Sequence, residues 1–226
     1  MSSPAADDVV TVVASAYFQP IADLIQNLLR KEPGGPFPGG SGDHENGYSA
    51  SIVVLLVAML ESYTSRLHFV RNGELTAGGR STPDLLMCYF PDLPTKNELV
   101  EIFLLRNAVV HNHIWHLDVS DYKAELRTIS TPQELGFQTN KHYTDVVNAA
   151  TRRTRKLGLN VNPIVTDRRD VLTVFQIIWK TLEFMNRKNS AHTPLTGRTV
   201  GFFRKFRQFD ELIDELAADI ENRNVP

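Results

Sequence analysis

Residues 49–71 read SASIVVLLVAMLESYTSRLHFVR, and this segment indicates the architecture of the protein. Its first half, Ile52 to Leu60, is apolar on every side, whereas a helix at a protein surface carries an apolar stripe on one face only. Such a segment must be surrounded by other elements if its side chains are to leave water. It predicts a central helix that is packed on all sides, and therefore a mainly α-helical protein.

Helical patterns recur on both sides of this stretch. Residues 9–30 carry apolar groups at helical spacing, and Pro20 should kink this segment or split it in two. Ser81-Thr82-Pro83-Asp84 begins a short helix, with proline in the first turn. Further helices are predicted over residues 96–113, 141–156, 168–187 and 203–222.

The remaining segments complete a helical architecture. Residues 33–47, rich in Gly and Pro, predict a loop, and the alternation over residues 114–130 predicts a small β-hairpin. The final helix would place Phe206 in an apolar stripe with Phe209. We expect a mainly α fold, an antiparallel bundle of helices, with a core over residues 1–120. Residues 121–226 would form a C-terminal helical extension packed on that core, or part of one single domain.

The composition limits the function classes. The 226 residues carry a formal net charge of −2, so a nucleic-acid partner must be held by a local basic patch. Cys88, the single cysteine, cannot form an internal disulfide, and an oxidising compartment is not indicated. The first eight residues contain two acids and no base, unlike a signal peptide. We therefore expect a cytoplasmic protein with no membrane partner.

The predicted helix over residues 96–113 carries an arginine on its apolar side. At about 100° per residue, Arg106 falls in the middle of a face formed by Leu99, Ile102, Phe103, Val109 and Val110. An arginine is almost never fully buried without a partner. Its charge must be met by a carboxylate such as Glu61 or Glu101, by carbonyls, by a second protein surface or by an anionic ligand. A phosphate held in a cleft is one such ligand.

A histidine follows near the predicted end of the same helix. The helix dipole at His111 favours the imidazolium form, and an imidazole can exchange protons at physiological pH. Asn107 lies one turn before His111 and can orient its ring. Arg106 and His111 are about 140° apart on an ideal helix. A local distortion of the helix or a second subunit is therefore needed to bring an arginine and a histidine into one site.

These residues together resemble the motif of the HEPN family. Members carry an arginine and, after four to six intervening residues, a histidine, and the residue after the arginine is often asparagine. Arg106-Asn107-Ala108-Val109-Val110-His111 fits this pattern with four intervening residues. The apolar Phe103-Leu104-Leu105 before it and an acid in an earlier helix, Glu61 within Ala58 to Tyr63, are also similar to the family. The resemblance covers roughly residues 9–115.

The resemblance implies a HEPN-like bundle and a metal-independent endoribonuclease that needs no cofactor. Arg106 would hold the scissile phosphate, and His111 would act as general base or general acid. Asn107 would be a secondary polar group and Glu61 a supporting acid. Two such domains usually pair, which implies a homodimer around an RNA cleft. The family also implies a toxin–antitoxin or antiviral defence setting, with an antitoxin or regulatory protein as a partner.

Alternatives to this activity stay open. Some HEPN proteins do not cut RNA, so the chain could be a silent module that binds a nucleotide, an RNA or a partner protein. A metal-dependent hydrolase could instead use a cluster of histidines with metal-ligating chemistry, His111, His113 and His116.

Two basic segments are candidates for RNA contact. The stronger one contains Arg152, Arg153, Arg155 and Lys156. The weaker one is the basic and aromatic stretch over residues 202–207, whose apolar members also fit a core stripe.

Overall fold

Six α-helices and three two-stranded antiparallel sheets form the part of the chain that this computed structural model describes. The described residues are 13–31, 45–71, 81–110, 115–120, 123–128, 145–148, 150–163 and 165–223, with the backbone alone for 115–120 and 123–128. A 3₁₀ helix, Val13–Tyr17, precedes helices α1 (Phe18–Leu28), α2 (Asn46–Val70), α3 (Thr82–Tyr89), α4 (Lys96–Val110), α5 (Arg168–Lys188) and α6 (Glu211–Arg223). The strands are β1 (Trp115–Ser120), β2 (Lys123–Thr128), β3 (Val147–Asn148), β4 (Arg153–Thr154), β5 (Thr199–Phe202) and β6 (Lys205–Gln208). The prediction of a mainly α-helical protein is confirmed.

Helix α2 is the centre of the core, as its all-round apolar sequence predicts. It packs against α1, α3, α4 and α5. Its fully buried side chains include Ile52, Leu56, Leu60 and Tyr63. By length and composition α2 could also cross a membrane, but more than half of its most apolar window is buried inside the protein. Burial of this kind is what the core helix of a helical bundle shows.

The N-terminal helical segment does divide in two, but the boundary falls at Phe18 rather than at Pro20, where a kink or split was predicted. Pro20 is the third residue of α1, in the first turn, where a backbone N–H has no acceptor within the helix. Before it the chain forms the 3₁₀ helix. The buried side of this segment contains Phe18, Ile21 and Ile25, while Val13, which the predicted stripe included, is exposed.

The second half of the chain contributes to the same core. Helix α5 begins with a capping box, in which Asp167 and Asp170 each accept a hydrogen bond from the other's backbone N–H. Its buried face packs along α2. One cluster of buried apolar residues joins α1, α2 and α4 with α5 and α6. The boundary near residue 120 stays a prediction.

The helix predicted over residues 141–156 is wrong for its described second half, which forms the β3–β4 ribbon. Asn148 Oδ1 accepts hydrogen bonds from the backbone N–H groups of Ala150 and Thr151, which closes a turn in place of a helix. Arg152 has a φ of 54°, a left-handed conformation that an α-helix excludes.

The helix predicted over residues 203–222 begins later than expected. A hairpin of β5 and β6 precedes it, and α6 starts at Glu211. Phe203 and Arg204 form the turn with φ values of 46° and 62°, so the chain reverses where the periodicity indicated a first helical turn. Phe206 is consequently 85% exposed rather than part of the core stripe, whereas Phe209 is buried as predicted.

The hairpin predicted over residues 114–130 is confirmed. Strands β1 and β2 pair antiparallel, and Leu117 lies opposite Leu126. Of the loop predicted over residues 33–47, residues 33–44 lie outside the described residues, and α2 already begins at Asn46.

Candidate functional site

The candidate site is built where α4 packs against α2. Arg106 on α4 and Glu61 on α2 form an ion pair between the Arg106 guanidinium and Glu61 Oε1. The Arg106 guanidinium also lies 5.6 Å from the centre of the Phe103 ring, one turn earlier on its own helix. Of the two carboxylates that the sequence offered as partners of Arg106, the structure selects Glu61.

Arg106 lies at the border between core and solvent. Its side chain is 21% exposed and that of Glu61 is 35% exposed. Leu99 and Ile102 are buried as predicted, but Val110, which the predicted apolar face included, is exposed. The apolar face therefore ends before the last turn of α4, and Arg106 is reachable from water.

The histidines of the candidate sites cannot be placed against Arg106. His111 and His113 lie outside the described residues, and of His116 the backbone alone is described, in β1. Asn107 is half-buried on α4, one residue after Arg106. A shared site of Arg106 and His111 stays a prediction, as does the metal site on the three histidines. Among the residues that the structure does describe, no cluster of three metal-ligating side chains occurs.

Glu101 has a different role from the one the sequence offered. It is buried on α4, and its two carboxylate oxygens accept hydrogen bonds from the backbone N–H groups of Lys156 and Leu157, each at 2.8 Å. The carboxylate thus fastens the segment after β4 to the motif helix. The sequence signal was an acid on a buried helical position with no basic residue one turn away.

An apolar contact also holds the segment that contains β3 and β4 along α4. Leu104 and Ala108 form a small buried cluster with Val147 of β3 and Val161. Leu104 and Ala108 lie two residues before and after Arg106, which places them about 160° from it around the helix. The β3–β4 ribbon is therefore attached to the C-terminal half of α4, on the face opposite to Arg106.

The predicted basic run is exposed on this attached segment. Arg152, Arg153 and Arg155 face solvent, and Lys156 Nζ lies 3.0 Å from Glu98 Oε1 on α4. Burial acts to raise the pKa of Glu98, but the hydrogen bond and charge of Lys156 hold that pKa below its usual value. The basic run thus lies against α4, the helix that carries Arg106. Within the described residues, no contact joins the run to Arg106.

Comparison with protein families, with curated proteins and with solved structures gives no match for this chain.

Proposed function

We propose that this protein is a metal-independent endoribonuclease of the HEPN type, with the helical bundle of that family. The observation that supports the proposal most directly is the position of Arg106, which an ion pair with Glu61 holds at the edge of the core while part of its side chain stays exposed. The activity itself rests on the motif that Arg106 shares with His111.

Glu61 is suited to position the guanidinium without occupying all of it. A guanidinium has five N–H donors, and the contact with Glu61 uses one terminal nitrogen, Nη2. The other donors can meet the oxygens of a phosphate in the same plane. Arg106 would therefore bind the scissile phosphate in a fixed orientation and stabilise the charge that develops on it.

The chemistry needs one acid and one base besides Arg106. A base, His111, removes the proton of the ribose 2′-hydroxyl, and the 2′-oxygen attacks the adjacent phosphorus. The bond from phosphorus to the 5′-oxygen breaks, and an acid protonates this leaving oxygen. The products are a 2′,3′-cyclic phosphate and a 5′-hydroxyl. In a homodimer the second His111 can supply the acid, and Asn107 can orient each ring.

The basic run supplies a means of holding RNA in a protein without a net positive charge. Arg152, Arg153, Arg155 and Lys156 lie on the segment that Glu101 fastens to the motif helix. Because this segment packs on the side of α4 away from Arg106, their charges would contact phosphates further along the strand rather than those next to the scissile one. We extend the proposal to a toxin–antitoxin or antiviral defence setting in the cytoplasm, with an antitoxin or regulatory protein as the partner chain. This extension is supported by the family resemblance alone.

The test is cleavage of a mixed pool of structured and single-stranded RNA in excess EDTA, with the product ends mapped. We expect the wild type to cut and to leave cyclic phosphates. Arg106→Ala and His111→Ala should both be inactive and folded. Matched controls are Arg187→Ala, a surface arginine on α5, and His192→Ala, whose backbone carbonyl rather than its ring accepts a hydrogen bond from Arg66. Equal cutting by all five proteins, or activity that EDTA abolishes, would overturn the proposal, and the latter would favour the histidine-based metal hydrolase.

A second candidate is a silent module that binds RNA, a nucleotide or a partner protein. The ion pair favours it, because Glu61 already neutralises the charge of Arg106 and the pair ties α2 to α4. In that case Arg106→Ala lowers the stability of the fold, and no RNA in the pool is cut. A wild type that binds RNA and leaves it intact at all enzyme concentrations would establish this candidate.

A further inference from the structure

The β5–β6 hairpin presents aromatic rings to solvent. Phe206 is 85% exposed and Phe203 42% exposed. Val200 and Phe202 form the buried side of the hairpin, so Phe206 stands on its outer side. There it lies opposite Gly201, which has no side chain to cover the ring. A large flat apolar surface is thus left uncovered.

The turn next to these rings is strained. Phe203 and Arg204 occupy the two central positions of a two-residue hairpin turn, with φ values of 46° and 62°. Asn-Gly adopts this geometry readily, whereas a bulky side chain rarely does. Such strain persists where the surroundings hold it and is concentrated at functional sites. Here Phe203 N–H donates to Gln26 Oε1 at 2.5 Å, and the Arg30 guanidinium lies 5.3 Å from the centre of the Phe203 ring.

Helix α1 holds the hairpin rigidly through glutamine side chains. Gln19 Oε1 accepts from Gly201 N–H at 2.8 Å, and Gln19 Nε2 donates to the Gly201 carbonyl at 3.0 Å. Gln26, which binds Phe203, lies about two turns further along the same helix. The backbone of the hairpin is therefore held in place before any partner arrives, which lowers the entropy lost on binding.

The surface around the turn carries exposed cations. Arg30 and Arg204 are exposed, and within the described part of the chain neither makes an ion pair. Lys205 is also exposed, but it lies opposite the buried Phe202 and so on the other face of the hairpin from Phe206. Asp23, which accepts a hydrogen bond from Gln19 Nε2, is an acid next to this surface. Arg207, in contrast, is paired with Glu211 and with Glu215, at 3.9 and 3.2 Å. An uncovered aromatic ring beside unpaired cations is the combination that binds single strands of nucleic acid, by stacking on bases and contacting phosphates.

We propose that this hairpin surface, formed by Arg30, Phe203, Arg204 and Phe206, binds single-stranded RNA. One base stacks on the ring of Phe206, and the two arginines contact the neighbouring phosphates. The choice of RNA over DNA rests on the proposed function, whereas the binding mode does not. A lipid surface fits less well, because the outer neighbours of Phe206 are the polar Thr199 and Gln208 and offer little apolar area for insertion.

The test is the fluorescence anisotropy of a labelled single strand of about 12 nucleotides, a length within the range that such sites cover. The strand carries 2′-O-methyl groups, so it cannot be cleaved by 2′-oxygen attack, and the full chain is used. We expect Phe206→Ala to weaken binding by about tenfold, within the range for one stacked base. Arg30→Gln combined with Arg204→Gln should lower the slope of log affinity against log salt by about 1.4, at roughly 0.7 for each phosphate contact.

Two variants serve as matched controls. Phe69→Ala removes another exposed phenylalanine, on α2, and Arg187→Gln removes an exposed arginine on α5. Both should bind like the wild type. Affinity of Phe206→Ala within twofold of wild type would overturn the proposal. So would binding of anionic vesicles that needs Phe206 while RNA affinity does not.

The two proposals can fail separately. Hairpin-dependent binding of the methylated strand, without cleavage of ordinary RNA, overturns the nuclease alone. Cleavage of ordinary RNA with full binding by Phe206→Ala overturns the hairpin surface alone.

Discussion

Glu101 should hold the basic segment against the motif helix, and its removal gives a measurable loss of stability. Its carboxylate oxygens accept one backbone N–H each, from Lys156 and Leu157, at 2.8 Å. A hydrogen bond to a charged group contributes roughly 1.5–3 kcal/mol, and we take the lower value because a freed loop can turn its N–H groups to water. Glu101→Ala should therefore lower the free energy of unfolding by about 3 kcal/mol. Glu101→Gln keeps one acceptor and should lose about half as much.

The assay combines urea unfolding with amide hydrogen exchange. Unfolding followed by circular dichroism gives the free energy. Exchange at Lys156 and Leu157 reports the local bonds, and both amides should lose protection in Glu101→Ala. Glu98→Gln is the matched control, since Glu98 contacts the half-exposed side chain of Lys156 rather than its backbone. Such a pair contributes less than about 1 kcal/mol.

A loss below about 0.5 kcal/mol in Glu101→Ala, a value typical of surface substitutions, would refute this role of the carboxylate. Unchanged protection of both amides would refute it as well. If the segment detaches as expected, the variant should also bind RNA less tightly wherever the basic run takes part in binding.

Three further predictions concern buried polar groups. Arg168→Met removes the buried guanidinium that pairs with Glu45 and Asp219 and should lower the free energy of unfolding by about 3–5 kcal/mol in urea, although Asp219 keeps its pair with Arg223, while exposed Arg187→Met changes it little. Tyr63→Phe should raise this free energy by about 1 kcal/mol, because the buried Tyr63 hydroxyl has no hydrogen-bond partner among the described residues; a loss of similar size would contradict this. Burial raises the pKa of Asp170 to about 6 from 3.8, despite the opposing hydrogen bonds, so the folded state takes up a proton first as the pH falls. The contribution of Asp170 to the free energy of unfolding should then decrease by up to about 3 kcal/mol as the pH rises from 4 to 6. The measurement is the difference in Tm between wild type and Asp170→Asn over this pH range, and a difference that does not change with pH would contradict the raised pKa.

The helices were predictable because local signals and burial agreed. The all-round apolar sequence of α2 left it no position except the centre. Ser81 and Asp84 form a capping box where the first-turn proline predicted the start of a helix, and Pro20 lies in the first turn of α1, where it is tolerated. In each case residues close in sequence decide the geometry.

One wrong helix and one helix that starts late show where local periodicity fails. Residues 147–156 and 203–208 carry apolar and basic residues at spacings that fit a helix, but both contain residues with positive φ, at Arg152, Phe203 and Arg204. Asn148 closes the first turn from within its own segment, and a distant residue, Gln26, holds the second through Phe203. No pattern within residues 203–208 predicts the contact with Gln26.

Only part of the candidate site was predictable from the sequence. The position of Arg106 on an apolar helix required a partner, and Glu61 was one of two acids at hand. The attachment of the basic run to α4 depends on Glu101, more than fifty residues before the N–H groups that it accepts. Contacts over such separations follow from the packing of whole elements rather than from spacing.

The pairing of Gln19 with Gly201 also bears on how the protein avoids aggregation. An exposed strand edge offers free N–H and C=O groups to a strand of another molecule. On β5 the side-chain amide of Gln19 occupies both groups of Gly201, as a neighbouring strand would do. A foreign strand would have to displace this amide before it could pair with β5. Gln19→Ala should therefore open a template for intermolecular sheet formation while leaving the apolar core untouched.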